Sequence, residues 1–162
     1  IDVATPCLRY AHARANALGV NAHFSQQNAE KTNFQDHSFD LIVSCLLLHE
    51  TSHSAVPNII RECSRILRPG SWMVHLDVYQ FNKETLAPLE DFLRDWEVFN
   101  NNENFSGALR EMDLQGIFEQ VGFTEDTIEF TTAQATVEHT EGYEGDYYLN
   151  LPVYVAQKEV VQ

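Results

Sequence analysis

Residues Phe39 to Val78 limit the fold of this chain more than any other stretch. Phe39-Asp40-Leu41-Ile42-Val43-Ser44-Cys45 is a nearly continuous apolar run, entered through the polar turn Gln35-Asp36-His37-Ser38. Such a run reads as a strand covered on both faces, hence a parallel one, and it is too short to cross a membrane. Val56, Ile59, Ile60, Cys63, Ile66 and Leu67 then fall on one helical stripe, with Pro57 suited to a first turn and Pro69-Gly70 closing the segment. Trp72 to Val78 makes a second apolar strand. Strand, helix and strand in that order form a right-handed crossover, so Ser44 to Glu50 lie at the carboxyl end of the first strand, facing the crevice where such sheets bind ligands.

The rest of the chain adds elements to this unit. Cys7, Tyr10, Ala11, Ala15 and Leu18 fit one face of a helix from Pro6 to Leu18, with Thr5 as its cap and Gly19 as its stop. Ile1-Asp2-Val3 reads as the tail of a strand and Asn21 to Phe24 as a short one. Thr85 caps a helix carrying Leu86, Leu89, Phe92, Leu93 and Trp96, and the Asn-rich loop at Asn100 to Asn104 ends it. Ser106 opens a short helix with Leu109 and Met112, and Asp113 caps another that runs to Val121 and stops at Gly122. Phe123 to Phe130 and Leu151 to Gln157 are the last strands, the final one expected antiparallel at the sheet edge. Thr131 to Tyr148 reads as an acidic connection between them.

With 162 residues the chain is the size of one domain, 1–162, with one core. A formal net charge of −14 repels phosphate backbones and anionic lipid surfaces, so neither a nucleic-acid nor a membrane partner is expected. Cys7, Cys45 and Cys63 are odd in number and sit in apolar patterns, as reduced core thiols do. No Cys/His cluster suggests a metal, and the composition suits a cytoplasmic protein.

The phrase "SFDLIVSCLLLHE", the helix ending "RECSRILRPG" and an apolar strand ending in Asp77 together resemble the class I S-adenosylmethionine-dependent methyltransferases. The resemblance covers Ile1 to about Gly122. It implies a Rossmann-like, mostly parallel α/β sheet with helices on both faces and an antiparallel last strand. It also implies methyl transfer from S-adenosylmethionine to a small-molecule acceptor, with S-adenosylhomocysteine as product. Asp2, beside Val3, stands where nucleotide-binding sheets place an acid, whose two oxygens accept from a ribose diol. Asn28 and Ala29 stand where the family holds adenine, and Ser44 and Cys45 where it places cofactor contacts. His49 is the catalytic candidate, able to take a proton from an acceptor, with Glu50 either raising its basicity or favouring the start of the following helix. Arg65 and Arg68 read as cations favoured at a helix's negative end.

The family's first strand and glycine-rich turn have no counterpart here, and none of the seven glycines forms that motif. The order of segments puts both ahead of Ile1, so the chain is expected to be truncated at its amino terminus. Without a central strand an apolar sheet edge is exposed and invites a homodimer. The alternative is a catalytically silent methyltransferase-like module used for association. A nicotinamide-dependent dehydrogenase also suits Asp2, but "LLLHE" and "RILRPG" oppose it. Tyr79 to Gly107 and Thr131 to Tyr148 are the segments free to roof the crevice, with Phe81, Trp96, Phe99, Phe105, Tyr143, Tyr147 and Tyr148 as candidate walls.

Overall fold

The computed structural model describes residues 1–77, 88–101, 105, 109, 111–137 and 147–160. Helix α1 spans Thr5–Leu18, strand β1 Phe39–Cys45, helix α2 Ala55–Ile66 and strand β2 Leu67–Leu76. Helices α3 (Pro88–Asn101) and α4 (Leu114–Gln120) precede the hairpin strands β3 (Ile128–Val137) and β4 (Tyr147–Gln157). Among the described residues the sheet has the order β1-β2-β4-β3. β1 and β2 are parallel, with Ile42 opposite Met73 and Ser44 opposite His75, while β4 is antiparallel to both β2 and β3.

Alternation decides what each strand buries. Ile42, Met73, Tyr154 and Ala156 face α2 and α4, and meet Val56, Ile59, Ile60 and Cys63 from α2 and Leu114 and Phe118 from α4. Phe118 joins the helix layer to the hairpin through edge-to-face contacts with Phe123 and Phe130, at 5.9 and 6.4 Å between ring centroids. Leu109 and Met112 are buried in the same cluster.

Asp113 caps α4 as expected, its carboxylate accepting from the Gly116 N–H, and Gly19 ends α1 in the left-handed region. Other expectations are corrected. Thr5 is the first residue of α1 and not its cap; the N-cap is Ala4, whose N–H donates to Asp2 Oδ1. Residues 21–24 form no strand; the neighbouring pairing is one isolated parallel bridge between Asp2 and Gln26. Pro69-Gly70 does not close the helix, since α2 stops at Ile66 and β2 begins at Leu67. Gly70, at φ +81, sits where the β1–β2 register shifts, a backbone conformation that few other residues accept. β4 lies inside the sheet and β3 is the edge, because β4 pairs with both β2 and β3. Thr131 to Val137 and Tyr147-Tyr148 are strand, not connection. Of the three cysteines only Cys63 is a core thiol. Thr85 and Ser106 lie outside the described residues.

β1 is covered on one face only among the described residues. Leu41 and Val43 are 55% and 62% exposed, Trp72 on the adjoining strand is exposed too, and α1 has no buried residue. These side chains share the outer face, away from α2 and α4.

Arg65 and Arg68 are structural, but by ion pairing rather than at the helix end: Arg65 bonds Glu62 and Asp36, and Arg68 bonds Asp40. The terminal carbonyls are met from a distant part of the chain, where Lys158 Nζ donates to Ser64 O at 2.6 Å and Leu67 O at 3.0 Å. Lys158→Met should therefore cost about 1 kcal/mol of unfolding free energy, read as a lower urea midpoint with an unchanged slope. An unaltered midpoint would show that solvent satisfies those carbonyls equally well.

Candidate functional site

The chain turns sharply at the carboxyl end of β1. Leu46 takes φ +55, unusual for a branched residue, while its N–H donates to Leu76 O at 2.8 Å. That turn feeds a short 3-10 segment, Leu48–Glu50. Asp77, the residue following β2, is wholly buried beneath it. One carboxylate oxygen of Asp77 accepts from the Leu48 N–H at 2.9 Å, and the other lies 2.5 Å from His49 Nδ1.

A carboxylate offers only acceptors, so the neutral His49 ring carries its proton on Nδ1 and presents a lone pair at Nε2. Glu50 Oε1 is 3.5 Å from Nε2, on a side chain that is 64% exposed. Glu50 thus neighbours His49 as expected, and Asp77 is the partner that fixes the ring. Tyr154, also near Asp77, has its hydroxyl pushed well above the usual tyrosine range by burial first and the Asp77 charge second, and it stays neutral.

A cavity of about 290 Å³ lies beside this turn. Ile42, Ser44 and Cys45 of β1 form one wall, Ile59 and Cys63 of α2 line it, and Ile1-Asp2 and Ala29 close it. A second cavity of about 180 Å³ includes Val3 and Asn28, and the two share Ile1, Asp2, Ala29, Leu47 and Ile59. Glu62 lines the larger cavity with its carboxyl held down at about 2 by Arg65, helped by Thr32. Ser44 Oγ is 2.6 Å from the buried His75 Nδ1.

The candidate residues therefore separate into two groups. Asp2, Val3, Asn28, Ala29, Ser44 and Cys45 gather around the joined cavities, although Cys45 is an exposed thiol. His49 lines neither cavity; it follows Leu47, which lines both, by two residues in the same turn and is held by Asp77. The Asn28 side-chain oxygen is engaged by the Glu30 N–H at 2.9 Å, the geometry of an Asx turn. Asp2 accepts from the Ala4 N–H through Oδ1 and lines both cavities. An apolar cleft with a carboxylate at one end fits an adenosine-type group.

His75 and Asp77 went unremarked as functional groups in the sequence. Their signal was the spacing, since two polar residues at period two on the inward face of an apolar strand need buried partners. Trp96, Phe99 and Phe105 are exposed, while Phe81, Tyr143 and the side chains of Tyr147 and Tyr148 lie outside the described residues. Among the described residues no cluster of His, Cys, Asp and Glu could hold a metal ion, and no helix is long and apolar enough to cross a membrane.

A family model described as a methyltransferase domain matches residues 1–70. The ubiquinone/menaquinone biosynthesis C-methyltransferase of Pasteurella multocida is 25% identical over 146 residues, covering 75% of this chain and 53% of the relative. An uncharacterised protein of Haemophilus influenzae is 27% identical over 113 residues, covering 70% and 43%. The chain thus spans about half the length of these relatives. Among solved structures, the YcgJ protein of Bacillus subtilis superposes with a TM-score of 0.70 at 15% identity, over 98% of this chain and 81% of that one. An S-adenosylmethionine-dependent methyltransferase of Methanosarcina mazei gives 0.62 at 19% identity, over 99% and 81%.

Proposed function

We propose that the chain is a class I S-adenosylmethionine-dependent methyltransferase, a reading supported by the methyltransferase-domain model over residues 1–70 and by the Pasteurella relative, and that it moves a methyl group from that cofactor to a small-molecule acceptor whose proton His49 removes. The observation that carries this reading is the His49–Asp77 pair, buried at the carboxyl ends of two parallel strands beside the cavities. An acceptor that is already nucleophilic needs only alignment. A base oriented by a buried carboxylate is useful when the acceptor is a carbon acid or a hydroxyl, and the Pasteurella relative is named as a C-methyltransferase.

When bound, the cofactor supplies an electrophilic methyl on sulfur. Asp2 would accept from its ribose hydroxyls, Val3, Asn28 and Ala29 would border the adenine, and Ser44 and Cys45 would flank the remainder. Asp77 holds His49 in the tautomer that accepts at Nε2 and stabilises the imidazolium once the proton arrives. Glu50, beside Nε2, favours the same charged form.

Among the described residues β1 has a bare edge and outer face, with Leu41 and Val43 exposed and without the cover usual for a parallel strand, and this belongs to the same reading. We assign that place to the further strand and helix expected ahead of Ile1, with pairing to a second copy as the competing outcome.

Calorimetry with S-adenosylhomocysteine tests the proposal. Binding should be weak for the 162-residue chain and clear for a protein extended ahead of Ile1. In the extended protein Asp2→Ala should lower affinity about tenfold, the value of a hydrogen bond to a charged group, while His49→Ala leaves it unchanged. Tight binding by the short chain, or equal loss in both variants, would overturn the site assignment. A dimer of the short chain by light scattering would give the β1 edge to a second copy.

A further inference from the structure

Resting on that reading of the cavity, we propose that Ser44 is a hydrogen-bond donor to an oxygen of the ligand, and that His75 beneath it is the residue that frees its proton. Ser44 and His75 both line the larger cavity, and Ser44 Oγ lies 2.6 Å from His75 Nδ1. His75 Nε2 is fully shielded and has no hydrogen-bond partner among the described residues. Its surroundings are those of the core, with the Phe118 ring 6.3 Å away.

Two neutral tautomers differ in what they leave unpaired. A proton on Nε2 would strand an N–H in apolar packing and would spend the Ser44 hydroxyl on Nδ1. A proton on Nδ1 donates to Ser44 Oγ and leaves only a lone pair unmet. Orphaned buried N–H groups are the rarer case, so the second tautomer is preferred. Burial keeps the ring neutral, with its pKa pushed down to about 4 against the opposing pull of Asp77.

The Ser44 proton is then aimed away from His75 and toward the cavity. The other charged side chains there, Asp2 and Glu62, are acceptors, and Thr32 already gives its hydroxyl proton to Glu62 at 2.6 Å. Ser44 is therefore the neutral donor that a ligand hydroxyl or carboxylate oxygen meets. His75 acts through Ser44 and is a positioning residue.

Nitrogen-15 NMR of the histidine-labelled 162-residue chain tests the tautomer without any ligand. His75 should be neutral at pH 7 with its proton on Nδ1; a proton on Nε2, or a charged ring, overturns the proposal. The second arm is calorimetry with S-adenosylhomocysteine on the protein extended ahead of Ile1. Ser44→Ala and His75→Leu should each weaken binding about three- to tenfold. The double variant should be no weaker than either, and His75→Asn, which keeps a donor near Nδ1, should recover most of the loss. Additive losses would make His75 merely structural and sink its role, and unchanged affinity in Ser44→Ala would sink the donor. If no binding occurs to the parent, the cofactor reading and the donor role fall together, whereas the tautomer result stands by itself.

Discussion

Asp77→Asn should lower the rate of methyl transfer by about two to four orders of magnitude, the span of general-base catalysis, while S-adenosylhomocysteine affinity stays nearly constant. The substitution is almost isosteric, so the buried site keeps its shape. The amide still has one oxygen, and the Leu48 N–H requires it, because among the described residues that backbone group donates to Asp77 Oδ2. The amide nitrogen is therefore left facing His49 Nδ1, where two donors cannot meet. His49 must turn its lone pair inward and carry its proton on Nε2, the atom that should receive one. The base is then blocked in place. Transfer of a radiolabelled methyl group and calorimetry on the same preparation separate the two effects. A rate within tenfold of the parent would mean that the acceptor needs no base and that the pair only ties β1 to β2.

Acid should destabilise the fold in two steps, the larger expected thermodynamic effect. His75 titrates at about 4 in the native protein against 6.5 in an ordinary setting, because burial opposes its charge. Between those values the unfolded chain holds a proton that the folded one refuses. The stability is fully present above 6.5 and is lost as the pH falls to about 4, a difference of about 3 kcal/mol. Glu62 is lowered from 4.5 to about 2, chiefly by its hydrogen bonds to Arg65, against some opposition from burial. Its contribution is complete above 4.5 and disappears on further acidification toward 2, on the order of another 3 kcal/mol. Urea midpoints across pH 3 to 8 should fall through both windows. In His75→Gln the upper limb should flatten and the lower one remain. A parent curve that is level from 6.5 to 4 would contradict the buried neutral imidazole.

The parts legible in the sequence were those governed by neighbouring residues. The apolar run at β1, the stripe on α2, the Asp113 cap and the glycine stops each rest on interactions within a few positions, so local pattern reveals them. Strand pairing rests on the whole chain. Nothing near Leu151 says that its strand enters between β2 and β3, because alternation defines faces and not neighbours. The same limit explains the site. His49 stood out at a strand end, and its adjacent Glu50 looked like its partner; Asp77 takes that role from 28 positions away, by the register of two parallel strands. The exposed face of β1 was misread because a continuous apolar run indicates what a strand needs as cover, and the described residues supply that cover on one side.

The insertion of β4 between β2 and β3 also has a kinetic meaning. Trp72 pairs with Gln157 and Leu76 with Val153, so the sheet joins its two halves across nearly the entire second half of the chain. β1, α2 and β2 can find one another early through short loops, and the β3–β4 hairpin can form by itself, yet neither piece completes the core alone. The long loop must close before Met73 and Tyr154 are buried on a common face, and loops of that span make folding slow even where the final state is stable. During synthesis the nascent chain would hold the inner face of β2 uncovered until β4 had left the ribosome, the interval in which a chaperone would have most to shield.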